Sequence, residues 1–268
     1  MTEIQMKMKP KILAAAMLVS LAAAGGNCNA AEAEGSGDIT LRSYSYTRIC
    51  EDKSNDFDIP NGSQYTLDAR RIMMPVSIGG NDITALRAAL EELGGVKIVD
   101  GKCVPQILPE GTHPTSLPTS TKYMGSSSVD VTVCHASENL VVWRNEFYSY
   151  FAGAAHGMNG KRYLTYYVPE NTIVTLDKVF VGEYADRVAS DLRRIVANTD
   201  EYRNMVFDVN AIYVPEDFYV KDRALVFVYQ PYDIGPYAAG VIELPYYPDV
   251  DVLTPFGRKV LSVPNYGY

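Results

Sequence analysis

Histidine and tryptophan are scarce in this 268-residue chain, with three of the one and a single residue of the other. His113, His135 and His156 stand far apart and form neither an H-x-H nor an H-E-x-x-H spacing, so local sequence offers no histidine-based metal centre. No G-x-S-x-G elbow and no phosphate-binding glycine loop occurs. Cys134 and His135 are neighbours, but adjacent residues of a strand face opposite ways, which excludes a nucleophile–base pair made by adjacency. Positive charge is also short. Lys and Arg number 24 against 32 Asp and Glu, a net of −8, which argues against nucleic acid or anionic lipid as a partner. Long apolar runs are absent after the first stretch, Ile12 to Ala24, and that one falls short of the roughly 20 residues of a spanning helix.

What that first stretch has is the layout of an export signal: Lys7, Lys9 and Lys11, then the apolar run, then small residues. Residues 1–27 are expected to be a signal segment, and residues 28–42 a lipoprotein tether or linker, rich in Glu, Gly and Ser. Cys28 follows Gly25-Gly26-Asn27, where a bacterial lipoprotein presents its acylated cysteine, and is the lipidation candidate. The alternative is ordinary cleavage near Ala30 or Ala31, with Cys28 discarded. The expected location is the periplasm or outer envelope, with a lipid anchor as the sole membrane attachment. Loss of three lysines and Glu3 moves the charge from −8 to −10. Cys50, Cys103 and Cys134 remain, so at most one intramolecular pair can form, and their spacing matches no zinc or redox pattern. No cofactor and no metal is expected.

The mature part suits one large domain or two fused small ones. Ile83, Leu86, Leu90 and Leu93 form one helical stripe from Asp82 to Leu93, with Asn81 or Asp82 as N-cap and Gly94 past the end. Val188, Leu192, Ile195 and Val196 form a second from Glu183 to Ala197. Val-, Tyr-, Phe- and Thr-rich segments at 43–49, 129–133, 140–150, 162–168, 218–220 and 225–229 read as strands. Asn61-Gly62 and Asn159-Gly160 read as tight hairpin turns, and Leu108 to Ser128, with Pro109, Pro114 and Pro118, as a long surface loop. The expected fold is α+β, an antiparallel sheet packed with two principal helices, divided into halves at 43–160 and 161–268. Twenty tyrosines suit half-buried strands, and an exposed set of them would suit sugar stacking or a protein partner. Acidic pairs such as Asp249/Asp251 and Asp222 with Glu216/Asp217 lack an ordered calcium-ligand spacing and read as solvated loop carboxylates.

Two longer stretches carry more information. One is Tyr148-Ser149-Tyr150-Phe151-Ala152-Gly153-Ala154-Ala155-His156-Gly157, followed by a strand and then Thr175-Leu176-Asp177-Lys178-Val179-Phe180. The other is Leu225 to Gly240, ending Gln230-Pro231-Tyr232-Asp233-Ile234-Gly235-Pro236-Tyr237-Ala238-Ala239-Gly240. In order and spacing, over roughly Tyr148 to Leu261, they resemble the paired envelope domains of the anti-sigma factor RsiV and of the non-catalytic part of the peptidoglycan deacetylase PdaC. The resemblance implies a non-enzymatic envelope protein that binds a protein or glycan at the cell wall, a lysozyme-like protein among the partners. Its loops make Phe151, Gly153, His156, Gly157, Tyr232, Asp233, Pro236 and Tyr237 the ligand-binding candidates, with no catalytic residue assigned. Only eleven residues precede the apolar run, so anti-sigma activity is not expected, nor is there room for a deacetylase domain. The rival reading is an envelope hydrolase acting on peptidoglycan or another glycan, with His156 and a carboxylate such as Asp233 or Glu243.

Overall fold

The computed structural model describes residues 39–52, 64–106, 124–151 and 153–262, with the backbone of Lys7–Met8 and Glu32–Gly35. Cys28, Asn61-Gly62, His113, the rest of the leader and most of the Pro-rich segment lie outside the described residues. Chain contacts divide the molecule into two compact units, one within Met1–Thr132 and Asn145–Asn159, the other comprising Val133–Arg144 and the chain from Gly160 on.

In the first unit, strands β1 (Ile39–Asp52) and β2 (Gln64–Ile78) pair antiparallel over their whole length, with Ser43 opposite Met73 and Arg48 opposite Asp68. Helix α1 (Thr84–Gly94) follows, then the small hairpin β3 (Val96–Val99) and β4 (Lys102–Pro105). The stripe Ile83, Leu86 and Leu90 is buried, as are Ile72, Met74, Ile78 and Val131. The N-cap is Ile83 rather than Asn81 or Asp82, since its carbonyl accepts the first helical bond from Arg87 N; Asp82, one residue earlier, accepts from the Thr84 amide. The other end of α1 is closed by distant side chains. Asn145 Nδ2 donates to Leu93 O at 2.7 Å, and Arg70 Nη1 donates to Gly94 O at 3.0 Å. Arg70 also joins Arg48 and Tyr46 around the buried carboxylate of Asp68, a burial tolerable because each oxygen is paired.

Strand β5 (Met124–Ala136) pairs parallel with β2, Tyr65 opposite Met124 through Ile72 opposite Val131. This parallel pairing departs from the antiparallel expectation. It follows from the long connection through α1 and the β3–β4 hairpin, since a parallel partner needs a crossover of a dozen or more residues. Residues 124–128, expected in the surface loop, are the start of β5.

Strands β5 and β6 (Leu140–Tyr150) are shared along their length between the units, residues 133–144 belonging to the second. There the sheet continues from β5 and β6 to β7 (Met158–Tyr167) and β8 (Thr172–Ile173). Asn159 and Gly160 therefore lie inside a strand rather than at a hairpin tip. The reversal is made earlier, where Ala154 N donates to Phe151 O and Gly153 takes a φ of 89°, a conformation glycine adopts without strain. A second sheet, in the order β9 (Phe218–Lys221), β10 (Ala224–Tyr229), β11 (Ile242–Tyr246), has every residue of β10 buried. That explains its uninterrupted apolar run, as a strand covered on both faces requires. Helix α3 (Ala185–Asn198) lays Val188, Leu192 and Val196 into the same core as Phe227, Leu244 and Tyr246. The short helices α2 (Leu176–Val179), α4 (Asp200–Met205) and α5 (Pro255–Val260) close its edges. The lone tryptophan, Trp143 on β6, is fully buried. The architecture is α+β, as expected.

Candidate binding surface

Strand β10 ends at Tyr229 and β11 begins at Ile242, so the loop from Gln230 to Gly240 is held at both roots by a buried sheet. Within it Gln230 N donates to Asp233 Oδ2 at 2.8 Å and Asp233 N returns a bond to Gln230 O at 3.0 Å. The Gln230 amide reaches out of the loop and grips the backbone of Lys161 twice, its Oε1 accepting from Lys161 N at 3.0 Å and its Nε2 donating to Lys161 O at 2.5 Å. On the other side Phe207 N donates to Ile234 O at 2.8 Å. Gly235 lies so close to the end of α4 that a Cβ there would stand 2.1 Å from Met205 O, so no larger residue fits without moving backbone. Tyr232 has a φ of 76°. A non-glycine residue holds that region only where its surroundings over-determine it.

These anchors present aromatic rings to solvent. Phe207 is 66% exposed, Tyr232 51% and Tyr213 45%, while Tyr237 is half-buried with its ring centroid 5.8 Å from that of Tyr232. Tyr213 stands edge-on to the buried Tyr229, whose hydroxyl donates to Tyr213 O at 2.6 Å. Burial, and then the hydrogen-bonded carboxylate of Asp233, push the Tyr213 phenol above its ordinary value, so it stays a neutral donor. Asp217, beside Gln230, is also raised, chiefly by burial, against the opposing charge of Arg162. Carboxylates thus neighbour the loop: Asp233 acts on the Tyr213 phenol and Asp217 lies against Gln230.

Of the expected ligand residues, Tyr232, Asp233, Pro236 and Tyr237 fall together on this loop, in the second unit. Phe151, Gly153, His156 and Gly157 lie on the β6–β7 turn, in the first. There Phe151 is 62% exposed, and the His156 ring Nδ1 lies 2.9 Å from its neighbour's carbonyl, Gly157 O. A Cβ on Gly157 would meet the Tyr148 ring, so this glycine makes room for an aromatic. Sequence reading passed over Phe207, Tyr213 and Gln230. Phe207 and Tyr213 sit in segments without periodicity, and only tertiary hydrogen bonds bring them to the loop.

Glu243, the other carboxylate considered for chemistry, accepts from Tyr163 OH and Tyr219 OH, both at 2.9 Å, with Lys161 Nζ at 3.3 Å. Tyr163 and Tyr219 stack with centroids 4.3 Å apart. Burial pushes the Glu243 carboxyl up, but the two phenols and the lysine outweigh it and hold the group below its ordinary value. It is a satisfied anion, poorly placed to give up a proton. Asp249 and Asp251 both pair with Arg187. Among the described residues no group of three or more His, Cys, Asp or Glu could hold a metal, and no helix is long and apolar enough to cross a membrane.

Most of the segment that builds this surface falls within a family match. Residues 172–246 match the family DUF3298, described as a protein of unknown function. A DUF3298 family member from Bacteroides fragilis NCTC 9343 has a similar structure, with a TM-score of 0.54 at 17% identity over 84% of this chain and 96% of that one. A DUF3298 family protein from Pseudomonas aeruginosa PAO1 gives a TM-score of 0.48 at 16% identity, over 80% and 95% of the two chains. The first of these shows a shared fold. No curated protein matches the chain.

Proposed function

We propose that this chain is a non-enzymatic, exported envelope protein that binds a protein or glycan at the cell wall through the Gln230–Gly240 loop. The observation that carries the reading is a rigid, strained loop which exposes Tyr232 while Phe207 and Tyr213 are held beside it. Holding exposed aromatics on a pre-ordered backbone is expensive in stability and suits binding, since a loop already ordered loses little entropy on contact. The leader-like start at Lys7 to Ala24 and the Cys28 environment support export and a lipid anchor. The resemblance to the RsiV and PdaC envelope domains supports a wall-facing role and makes a lysozyme-like protein the first partner to test. The chain's acidity suits a basic partner of that kind. The hydrolase reading draws no support from Glu243, whose lone pairs are engaged by three donors.

The test is calorimetric titration of the exported chain with a c-type lysozyme at low and moderate salt, in parallel with soluble cell-wall fragments. Saturable binding to either, weakened by Tyr232→Ala, is the expected result. No heat with any of them overturns the binding reading.

A further inference from the structure

The same surface also carries information about the class of its ligand, and this step rests on the binding reading above. Two kinds of occupant suit exposed aromatic rings: an apolar patch of another protein, or the C–H faces of sugar rings. They differ in what they ask of the groups between the rings. The centre of a protein interface is depleted in Asp and Glu, because a carboxylate there must be desolvated without a compensating charge. A sugar presents hydroxyl donors around its apolar face, so carboxylates and amides set between the rings are what it needs.

Here carboxylates neighbour the rings. Asp233 follows Tyr232 directly, and its charge acts on the Tyr213 phenol. Asp208 follows Phe207 directly and is exposed, accepting from the Asn210 amide. Asp217 lies against the Gln230 amide at 3.3 Å. Of the nearby cations, Arg162 lies 3.9 Å from Asp217, Arg193 Nε donates to Ile212 O beside Tyr213, and Lys161 is turned to Glu243. A glycan bearing carboxylates or sulfates would meet three acids against two arginines already engaged by the protein. The pinned backbone adds a second requirement of sugar recognition, which draws modest energy from each stacked ring and therefore tolerates little ordering cost.

We infer that the surface formed by Phe207, Tyr213, Tyr232 and Asp233 binds an uncharged glycan. The rings stack on pyranose C–H faces, and Asp233, Asp208 and the loop backbone accept sugar hydroxyls. The occupant is a polysaccharide strand rather than a folded protein.

Saturation-transfer NMR tests this on the full exported chain with a panel of uncharged oligosaccharides, namely chito-, cello-, malto- and manno-oligomers of increasing length, and with lysozyme as the protein arm. At least one series is expected to receive saturation at its ring C–H protons, with affinity rising with length. Tyr232→Ala and Tyr213→Ala are each expected to weaken binding about tenfold, the loss of one stacked ring. Tyr247→Ala, at the far end of β11, leaves it unchanged. Trp143 fluorescence of each variant checks that the core is intact. If no oligomer in the panel binds while lysozyme binds in a Tyr232-dependent way, the glycan assignment is overturned and the binding reading stands. If neither binds, both fall.

Discussion

The two loops singled out by sequence, Phe151–Gly157 and Gln230–Gly240, contain the same ingredients: aromatics, glycines and no lysine or arginine. They are built to different tolerances. In the first, the close neighbour of Gly157 is the ring of Tyr148, a side chain that is itself partly exposed and can swing away. In the second, the close neighbour of Gly235 is the backbone oxygen of Met205, fixed by the fold. One loop is fitted against something that yields, the other against something that does not, and only the second also holds a tyrosine at positive φ. Rigidity, more than composition, separates a candidate recognition loop from an ordinary turn.

The comparison breaks most sharply at the glycines. Gly235→Ala is expected to destabilise the chain by about 3 kcal/mol, the upper range for forcing extra volume into a packed site, read as a lower urea midpoint with an unchanged slope. Gly157→Ala should cost less than about 1 kcal/mol by the same measurement, because Tyr148 can relax. Equal losses at the two positions would erase the distinction. Next in size is Asp233→Ala, which removes the acceptor for Gln230 N and is expected to cost about 1–2 kcal/mol. Tyr232→Gly sharpens the comparison from the other side: relief at positive φ leaves stability unchanged or raised by up to about 1 kcal/mol, although the ring is lost. A large destabilisation by Tyr232→Gly would show that the residue serves packing rather than display.

The smallest effect is one of pH. Because the Glu243 carboxyl is held below its ordinary value of 4.5, its ionised form stabilises the fold above that pH, and the contribution is lost as pH falls through the folded-state value. Glu243→Gln should therefore flatten the acid limb of a stability curve below about pH 4.5. An unchanged acid limb would mean that the Tyr163–Tyr219 pair holds equally well without the charge.

The helices were legible because amphipathic periodicity survives in both. The expected spans at 82–93 and 183–197 fall within two residues of α1 and α3. Strand β10 was legible because a strand buried on both faces reads as an unbroken apolar run. Strand β2 was not, because Asp68, Arg70 and Arg71 interrupt its pattern, and their pairing with Arg48, the α1 carbonyls and Asp130 exists only in three dimensions. Strand β11 was missed for a different reason. It carries Pro245, which argues against a strand unless the strand lies at an edge, and β11 is an edge. In the same way half of the candidate surface was written in one contiguous loop, and the other half, Phe207 and Tyr213, reaches it through a backbone amide and a phenol that no spacing rule anticipates.

The single tryptophan gives the molecule a built-in optical label. Trp143 is wholly enclosed, and it lies in the unit that also holds the Gln230–Gly240 loop but on a different strand, so its emission reports whether that unit's interior is wet or dry. A shift of this emission to the red marks loss of the fold, whereas occupation of the tyrosine surface leaves the indole shielded. Unfolding and ligand uptake can therefore be followed as separate signals in one cuvette, without attaching a dye.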